Sequence, residues 1–441
     1  MGRHPLLCVS RLLLLWAACG VLLRPAAEPA RAEPAAAPDD EAETLKAEAV
    51  TTATQLAAEF PEDPFALALL GTTHYNLGNS AQAVACAKRC LELDPKFAYA
   101  YSMMAQVALD KGEPERVVAL CRQALQIDPA LADVHRRLGR ALVDLGRAAE
   151  LIAAMQQAIK ACGRSAEFYY FLGQGHLQAK QYEKAADTFR IATEIDPGDL
   201  HAWFGLFTAS ARLGQQEKAA GYRAKFSQLE AAEQQAIAAR GLRERALAGL
   251  ELVQQSLAKT CAGAGQVYRK HGYYLRAERF LVKAAQLDPS NRPCREELVL
   301  LGRLRDRPDS TRKALEQLAE AQPDNEVNCF YLGAVYLDLG RHDAAEQVLR
   351  KALQLNPADP WGYNALADLF LTAGRQLPEA LSLARKLVER APTASHHFLL
   401  ARACAANGDR AAALAAVRRA IELDPDRAEY ERFRRQTDGG R

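Results

Sequence analysis

The stretch that decides the fold runs from Glu326 to Asp359 and reads EVNCFYLGAVYLDLGRHDAAEQVLRKALQLNPAD. It contains two segments of helical length with apolar residues at helical spacing, and Gly340 stands between them. Glycine adopts the left-handed conformation that ends a helix without a Cβ penalty. Pro357 then ends the second segment, because proline lacks an amide donor and clashes with the preceding turn. The stretch therefore predicts a helix–turn–helix unit.

The closing proline of this unit recurs along the chain with a period close to 34 residues. The series is Pro95, Pro129, Pro197, Pro289, Pro323, Pro357, Pro392 and Pro425, with Gly163 standing where a proline is due. The last four steps in this series are 34, 34, 35 and 33 residues. One helical hairpin cannot bury its own apolar face, so a fixed period of this length indicates units that stack on one another.

The pattern resembles the tetratricopeptide repeat, in a chain of the exported bacterial type. The signature of that repeat is Leu-Gly, an aromatic residue, a turn glycine, two alanines and a closing proline. Residues 326–359 carry Leu332-Gly333, Tyr336, Gly340, Ala345, Ala352 and Pro357, and the small residue after the first helix's leucine recurs at Gly71, Gly139, Gly173 and Gly265. The resemblance implies an all-α fold: a right-handed α-solenoid of about ten helix–turn–helix units, in two arrays joined by a lengthened helical segment.

Segment boundaries follow from where the repeat pattern begins, lapses and ends. Residues 1–32 contain a basic start, an apolar core and an A-x-A site, which predict a secretory signal peptide, with a retained N-terminal anchor as the alternative. The further segments are a flexible spacer at 33–41, an N-terminal array at 42–231, a helical joint at 232–257, a C-terminal array at 258–425, and a capping helix and tail at 426–441. The joint is predicted because 92 residues separate Pro197 from Pro289.

Both interpretations of the N-terminus place the body outside the cytoplasm. The expected location is periplasmic or secreted, or else membrane-anchored and facing outward, with membrane contact only through an uncleaved N-terminal segment. The chain has 56 Lys and Arg against 54 Asp and Glu, a formal charge of +2, which argues against nucleic acid as a partner.

Catalytic and metal-binding motifs are not found in the sequence. It contains no HExxH, no GxSxG and no phosphate-binding loop, so we predict no catalytic residues, no cofactor and no enzyme activity. Cys86 and Cys90 stand one helical turn apart, but no CxxC or Cys/His quartet completes a metal site, and no metal is predicted. Buried thiols are favoured for the cysteines, with a Cys90–Cys121 disulfide as the alternative.

The resemblance also implies where a partner binds, because relatives hold peptides against the exposed face of the first helix of each repeat. The matching residues are Tyr99, Ser102, Gln106, Arg136, Arg140, Tyr170, Gln174, Phe204 and Thr208. The hypothesis is that Arg136 and Arg140 pair with an acidic segment while Tyr170 stacks beside them; the alternative is a solvated helix face. We therefore expect a non-catalytic scaffold or adaptor for a protein or peptide. The alternative is a regulatory or carrier subunit of an enzyme complex encoded elsewhere, and self-association is left open.

Overall fold

A computed structural model describes residues 38–239, 242–304 and 308–439 of the chain. Every regular element within these ranges is an α-helix. The helices are α1 (Pro38–Glu59), α2 (Pro64–Asn76), α3 (Ser80–Leu93), α4 (Ala98–Asp110), α5 (Pro114–Ile127), α6 (Ala132–Asp144), α7 (Ala148–Cys162), α8 (Ala166–Gln178), α9 (Tyr182–Ile195), α10 (Leu200–Arg212), α11 (Gln216–Ala239), α12 (Leu242–Lys270), α13 (Tyr274–Leu287), α14 (Arg292–Leu304), α15 (Pro308–Ala321), α16 (Glu326–Asp338), α17 (His342–Leu355), α18 (Pro360–Ala373), α19 (Leu377–Arg390), α20 (Ala394–Ala406), α21 (Arg410–Leu423) and α22 (Ala428–Gly439).

The helices form antiparallel pairs that stack on one another, as the repeat pattern predicts. We call the even-numbered helices from α2 to α20 helices A and the odd-numbered helices from α3 to α21 helices B. Each helix A packs on the following helix B, and each helix B from α3 to α9 and from α13 to α19 packs on the next helix A. The all-helical solenoid expected from the sequence is therefore confirmed.

The turns between helices A and B are made by residues with left-handed backbone conformation. The predicted turn glycines all have φ between 64° and 80°: Gly78, Gly112, Gly146, Gly214, Gly272, Gly340, Gly374 and Gly408. In the turn between α8 and α9, where the pattern expects glycine, Lys180 takes the same conformation with φ of 58°. The turn geometry is thus constant even where the residue type departs from the pattern.

The repeat-defining prolines and small residues lie where helices end or cross. Helices α3, α5, α9, α13, α17 and α21 each end two residues before Pro95, Pro129, Pro197, Pro289, Pro357 and Pro425, respectively. At Gly71, Gly139, Gly173, Gly265 and Gly333, a Cβ atom would lie only 2.7–3.0 Å from a neighbouring side chain. At Gly173 this neighbour is Phe189 of the paired helix B, so a larger residue would push the two helices apart.

The first array ends at α11 because its sequence stops offering a place for another helix. In α7, α9, α13 and α17 one repeat position holds a large, fully buried apolar residue, such as Phe189 in α9. The equivalent residue of α11 is Arg223, which is exposed. Polar cover of this kind is what a terminal repeat requires. The next helix, α12, makes its contacts elsewhere.

The N-terminal ends of the two arrays pack against each other. Helix α1 lies along α12, and the shared apolar core includes Ala49 and Leu56 from α1 together with Leu257, Cys261 and Leu281 from α12 and α13. We call this contact of α1 and α2 with α12 and α13 the seam. The sequence predicted a joint between two arrays but gave no sign that the joint returns the chain to its own beginning.

Polar contacts fix the direction of the helices at the seam. Asp63 contacts Lys270 at 2.9 Å, the hydroxyls of Thr73 and Thr260 are 3.5 Å apart, and the amide of Asn76 donates to the hydroxyl of Ser256 at 3.0 Å. Rising numbers on α2 thus meet falling numbers on α12, so these two helices A run in opposite directions. The arrays meet head to head, and the helices A continue across the seam as one layer.

The beginning of the structure differs in part from the prediction for residues 33–41. Helix α1 starts at Pro38, inside the segment for which the sequence predicts a flexible spacer. The predicted signal peptide and residues 33–37 lie outside the described residues. Among the residues that the structure describes, none of the helices combines the length and hydropathy needed to cross a membrane.

Candidate partner-binding groove

The predicted lining residues of the first array lie on successive helices A. Tyr99 and Gln106 are on α4, Arg136 and Arg140 on α6, Tyr170 and Gln174 on α8, and Phe204 on α10. Their faces point away from the paired helices B. Tyr99 is 47% exposed and Phe204 is 48% exposed, so two aromatic rings are available to a partner.

Hydrogen bonds join the lining residues across neighbouring helices. The hydroxyls of Tyr99 on α4 and Thr72 on α2 are 3.0 Å apart. Arg137 of α6 donates to the side-chain oxygen of Gln106 at 2.5 Å and to the hydroxyl of Ser102 at 3.0 Å, both on α4. These bonds hold the groove wall in one arrangement, which reduces the entropy lost when a partner binds.

The two arginines of the sequence hypothesis differ in their surroundings. Arg136 donates to Glu167 of α8 at 3.1 Å and also contacts Asp133. Burial lowers the pKa of Arg136, but its contacts with these two carboxylates outweigh burial and raise it. Arg140 has only a 3.4 Å contact with Asp144, and its side chain is 65% exposed. An acidic partner would therefore meet Arg140 more readily than Arg136, whose charge is already balanced.

Tyr170 is held by packing and is less accessible than the hypothesis assumed. Its ring lies 6.1 Å from that of Phe189 and 5.9 Å from that of His201, and burial raises the pKa of its hydroxyl. Gln174 hydrogen-bonds to that hydroxyl. Phe204 stands at the far end of the groove, with Phe226 of α11 at 5.4 Å between ring centroids. The structure therefore leaves Phe204 open to a partner and Tyr170 half-buried.

One groove residue missed by the sequence reasoning is Phe65 at the start of α2. Its ring is 56% exposed, packs edge-to-face on Phe97 at 4.9 Å, and lies 5.1 Å from the ammonium group of Lys270. The signal was present in the sequence, because Phe65 stands 34 residues before Tyr99 and so takes the same place in its repeat. Lys270 could not be found in this way, since it belongs to the other array.

The described part of the chain contains no group of three or more His, Cys, Asp or Glu side chains placed to hold a metal ion. All eight cysteines in these residues are free thiols, so the Cys90–Cys121 disulfide is absent here. Burial raises the pKa of Cys90, Cys121 and Cys261 to about 12, as expected for thiols enclosed by apolar side chains. Thiolate chemistry at neutral pH is therefore not available at these three positions.

Sequence comparison identifies the repeats directly. Family models described as tetratricopeptide repeat match residues 64–97, 136–199 and 364–428, and one described as TPR repeat matches residues 333–374. Protein O-mannosyl-transferase TMTC1 of Homo sapiens is 32% identical over 123 residues. That alignment covers 26% of this chain and 13% of the human protein, so the chain spans only a small part of that relative.

Solved structures with a similar fold are also tetratricopeptide-repeat proteins. The crystal structure of YrrB, described as a TPR protein with an unusual peptide-binding site, is 22% identical, with 42% of this chain and 96% of YrrB covered and a TM-score of 0.38. Yeast Tom70 is 14% identical, with 91% of this chain and 96% of Tom70 covered and a TM-score of 0.37. The assignment itself rests on the repeat matches and on the turn and packing geometry. The chain belongs to the tetratricopeptide-repeat proteins.

Proposed function

We propose that this chain is a non-catalytic scaffold that binds an extended segment of a partner protein in the groove formed by α2, α4, α6, α8 and α10. Tetratricopeptide repeats imply protein–protein interaction, and the observation that favours this groove is its lining. Tyr99 and Phe204 expose aromatic rings, and Arg140 exposes a largely free guanidinium. Aromatic and arginine side chains are the usual anchors of protein interfaces.

The groove supports binding more than chemistry. Its charged residues are engaged with one another, as Arg136 is with Glu167, and they stand on a continuous helical face. A general acid or base needs a pKa near the working pH in a secluded site. The groove is instead an open surface fixed by hydrogen bonds between helices, which suits recognition of another chain.

Location outside the cytoplasm is part of the proposal. It is supported by the basic start, apolar core and A-x-A site in residues 1–32. In this setting the scaffold recruits a protein in the periplasm or beyond the cell, or at the outer side of a membrane if the N-terminal segment is retained. Extracting the native protein and sequencing its N-terminus tests this: a start near residue 33 supports cleavage, and an intact Met1 supports an anchor.

The binding experiment compares the native chain with a groove variant, Arg140→Glu combined with Phe204→Ala. Both residues are exposed, so the variant should fold normally. Lys88→Glu is the control, because Lys88 is exposed on helix B α3, away from the groove. Chemical cross-linking during affinity capture, followed by mass spectrometry, should place the partner on α4, α6, α8 or α10.

The expected result is a partner that cross-links to the groove, binds the native chain and the control, and is lost with the groove variant. A partner retained equally by all three proteins contradicts the proposed groove. The alternative function, a regulatory or carrier subunit, predicts a further result: the captured partner is an enzyme whose activity changes when the array is bound. A scaffold leaves the activity of its partner unchanged.

A further inference from the structure

The seam creates a surface that neither array has alone. At the seam, α2 of the first array and α12 of the second lie side by side in one layer, with Thr73 facing Thr260 and Asn76 facing Ser256. Leu69 packs where a Cβ on Gly263 would lie 2.8 Å from its side chain, so the two helices approach closely at the middle of the contact. The pair is tightly packed and polar contacts fix its register.

The groove faces of α2 and α12 lie on the same side of this layer. Two adjacent antiparallel helices are related by a two-fold axis perpendicular to the plane that contains them, and such a rotation keeps each helix's front face at the front. On α2 the groove residue Thr72 directly precedes Thr73, and on α12 Lys259 directly precedes Thr260. The 5.1 Å contact between the ammonium of Lys270 and the ring of Phe65 agrees with this arrangement. The groove of the first array therefore continues onto α12.

The part of the groove at the seam is aromatic and positively charged. Phe65 is 56% exposed and Tyr99 is 47% exposed on the side of the first array. On α12, Lys259 is exposed and makes no ion pair within the described residues, and the side chain of Lys270 is 53% exposed. Arg269 adds a third cation, balanced by Glu297 at 2.9 Å.

This charge distribution contrasts with the centre of the first array. There Arg136 is balanced by Asp133 and Glu167, whereas none of the groove residues of α2 carries a charge that could balance Lys259. Lys270 contacts the buried carboxylate of Asp63 behind it and still exposes half of its side chain toward solvent. A carboxylate arriving from solution would therefore find its best match at the seam.

The dimensions suit a short extended segment. Lys259 and Lys270 are separated by eleven helical steps, which at 1.5 Å each is about 16 Å along α12. An extended chain advances about 3.3 Å per residue, so roughly five residues span this distance. Phe65 lies beside the Lys270 end.

We propose that the seam is a composite binding site for an extended acidic segment that also carries an aromatic or aliphatic side chain. Carboxylates of the segment pair with Lys259 and Lys270, and its apolar side chain packs on Phe65 and Tyr99. This inference rests on the proposed scaffold function and specifies the chemistry of the partner. The site requires both arrays, because the aromatic rings come from one and the cations from the other.

The test uses a phage-displayed library of random linear peptides selected on the chain that begins at residue 33. Selected sequences should combine Asp or Glu with an aromatic or aliphatic residue. Synthetic fluorescent versions of them should bind Lys259→Glu and Phe65→Ala about tenfold more weakly than the native chain, because charge reversal turns attraction into repulsion and truncation removes an anchor. Lys88→Glu, an equal charge reversal on α3, should bind normally. Replacing the peptide carboxylates by amides should have the same effect as Lys259→Glu.

Two results separate this inference from the function on which it rests. Peptides that are weakened by Arg140→Glu with Phe204→Ala, but not by Lys259→Glu or Phe65→Ala, would overturn the seam site and leave the groove scaffold standing. Failure to enrich peptides, or equal binding to every variant, would overturn both. Circular dichroism of each variant excludes misfolding, and Lys259 makes no contact that the seam needs.

Discussion

The carboxylate of Asp63 makes a sharp test of whether the seam stabilises the molecule. Its side chain is only 3% exposed; it caps α2 through the amide of Phe65 at 2.9 Å and accepts from Lys270 at 2.9 Å and His271 at 2.7 Å. The change Asp63→Asn keeps an oxygen for the cap but removes the charge. A hydrogen bond to a charged group contributes about 1.5–3 kcal/mol, and Lys270 regains hydration when released. We therefore expect the seam to lose about 2 kcal/mol.

Two buried thiols report this loss separately for each region. Cys261 lies in the shared core of the seam and Cys121 in the core of the first array, and both are fully buried. Burial raises the pKa of both thiols to about 12, so labelling by N-ethylmaleimide requires opening of the structure. A loss of 2 kcal/mol corresponds to roughly 30-fold faster labelling of Cys261. Peptide mass spectrometry measures both rates in one sample.

The expected outcome is selective: Cys261 reacts faster in the variant, and Cys121 keeps its native rate. Equal acceleration at both thiols would show that the seam and the first array open together, which contradicts the local stability expected of a solenoid. An unchanged rate at Cys261 would show that the charge of Asp63 does not stabilise the seam.

Three further predictions concern stability. Burial raises the pKa of Asp63, but hydrogen bonds from Lys270 and His271 outweigh it and lower the pKa, so this stabilisation is present above the unfolded value of about 3.9 and is lost as pH falls through the folded value; hydrogen exchange of α1 should show this acid-induced opening in the native chain but not in Asp63→Asn. Gly173→Leu should cost about 1–3 kcal/mol in urea unfolding, whereas Gly221→Ala, where no atom lies within 4 Å of the new Cβ, should raise stability by about 0.5–1 kcal/mol. Arg295→Leu should lower the unfolding free energy of the second array by about 3 kcal/mol, because the fully buried guanidinium donates to four oxygen atoms of neighbouring residues that would lose a partner; a smaller loss than for an exposed substitution would contradict this.

Much of the repeat architecture could be predicted because it is encoded locally. A left-handed turn needs glycine or a tolerated substitute, and the position of Lys180 shows that the period, not one residue, defines the turn. Proline and the crowded small residues are local constraints too, as the 2.7 Å separation at Gly173 illustrates. For the same reason the period assigned Tyr99, Arg140 and Phe204 to helices A, since a place in the repeat is a place on the helix.

The seam could not be predicted in this way, because periodicity within each array says nothing about which ends of two arrays meet. Helix α1 and Lys283 are more than 200 residues apart along the chain, yet Glu48 contacts Lys283. A clue was available: Ala49 and Leu56 follow the pattern of a second helix whose first helix is not evident in the sequence. The balance of charge at Arg136 was equally hidden, since its partner Glu167 comes from the next repeat.

The head-to-head seam also decides how the molecule would respond to tension. A solenoid traversed from one end to the other carries a pulling force through every repeat in turn. Here α1 is docked beside α12, so a force applied between residue 38 and residue 439 passes from α1 directly into the second array. The helices from α2 to α11 lie outside that load path and stay relaxed until α1 shears away from α12. The first array, with its groove, would therefore keep its shape while the second array is stretched.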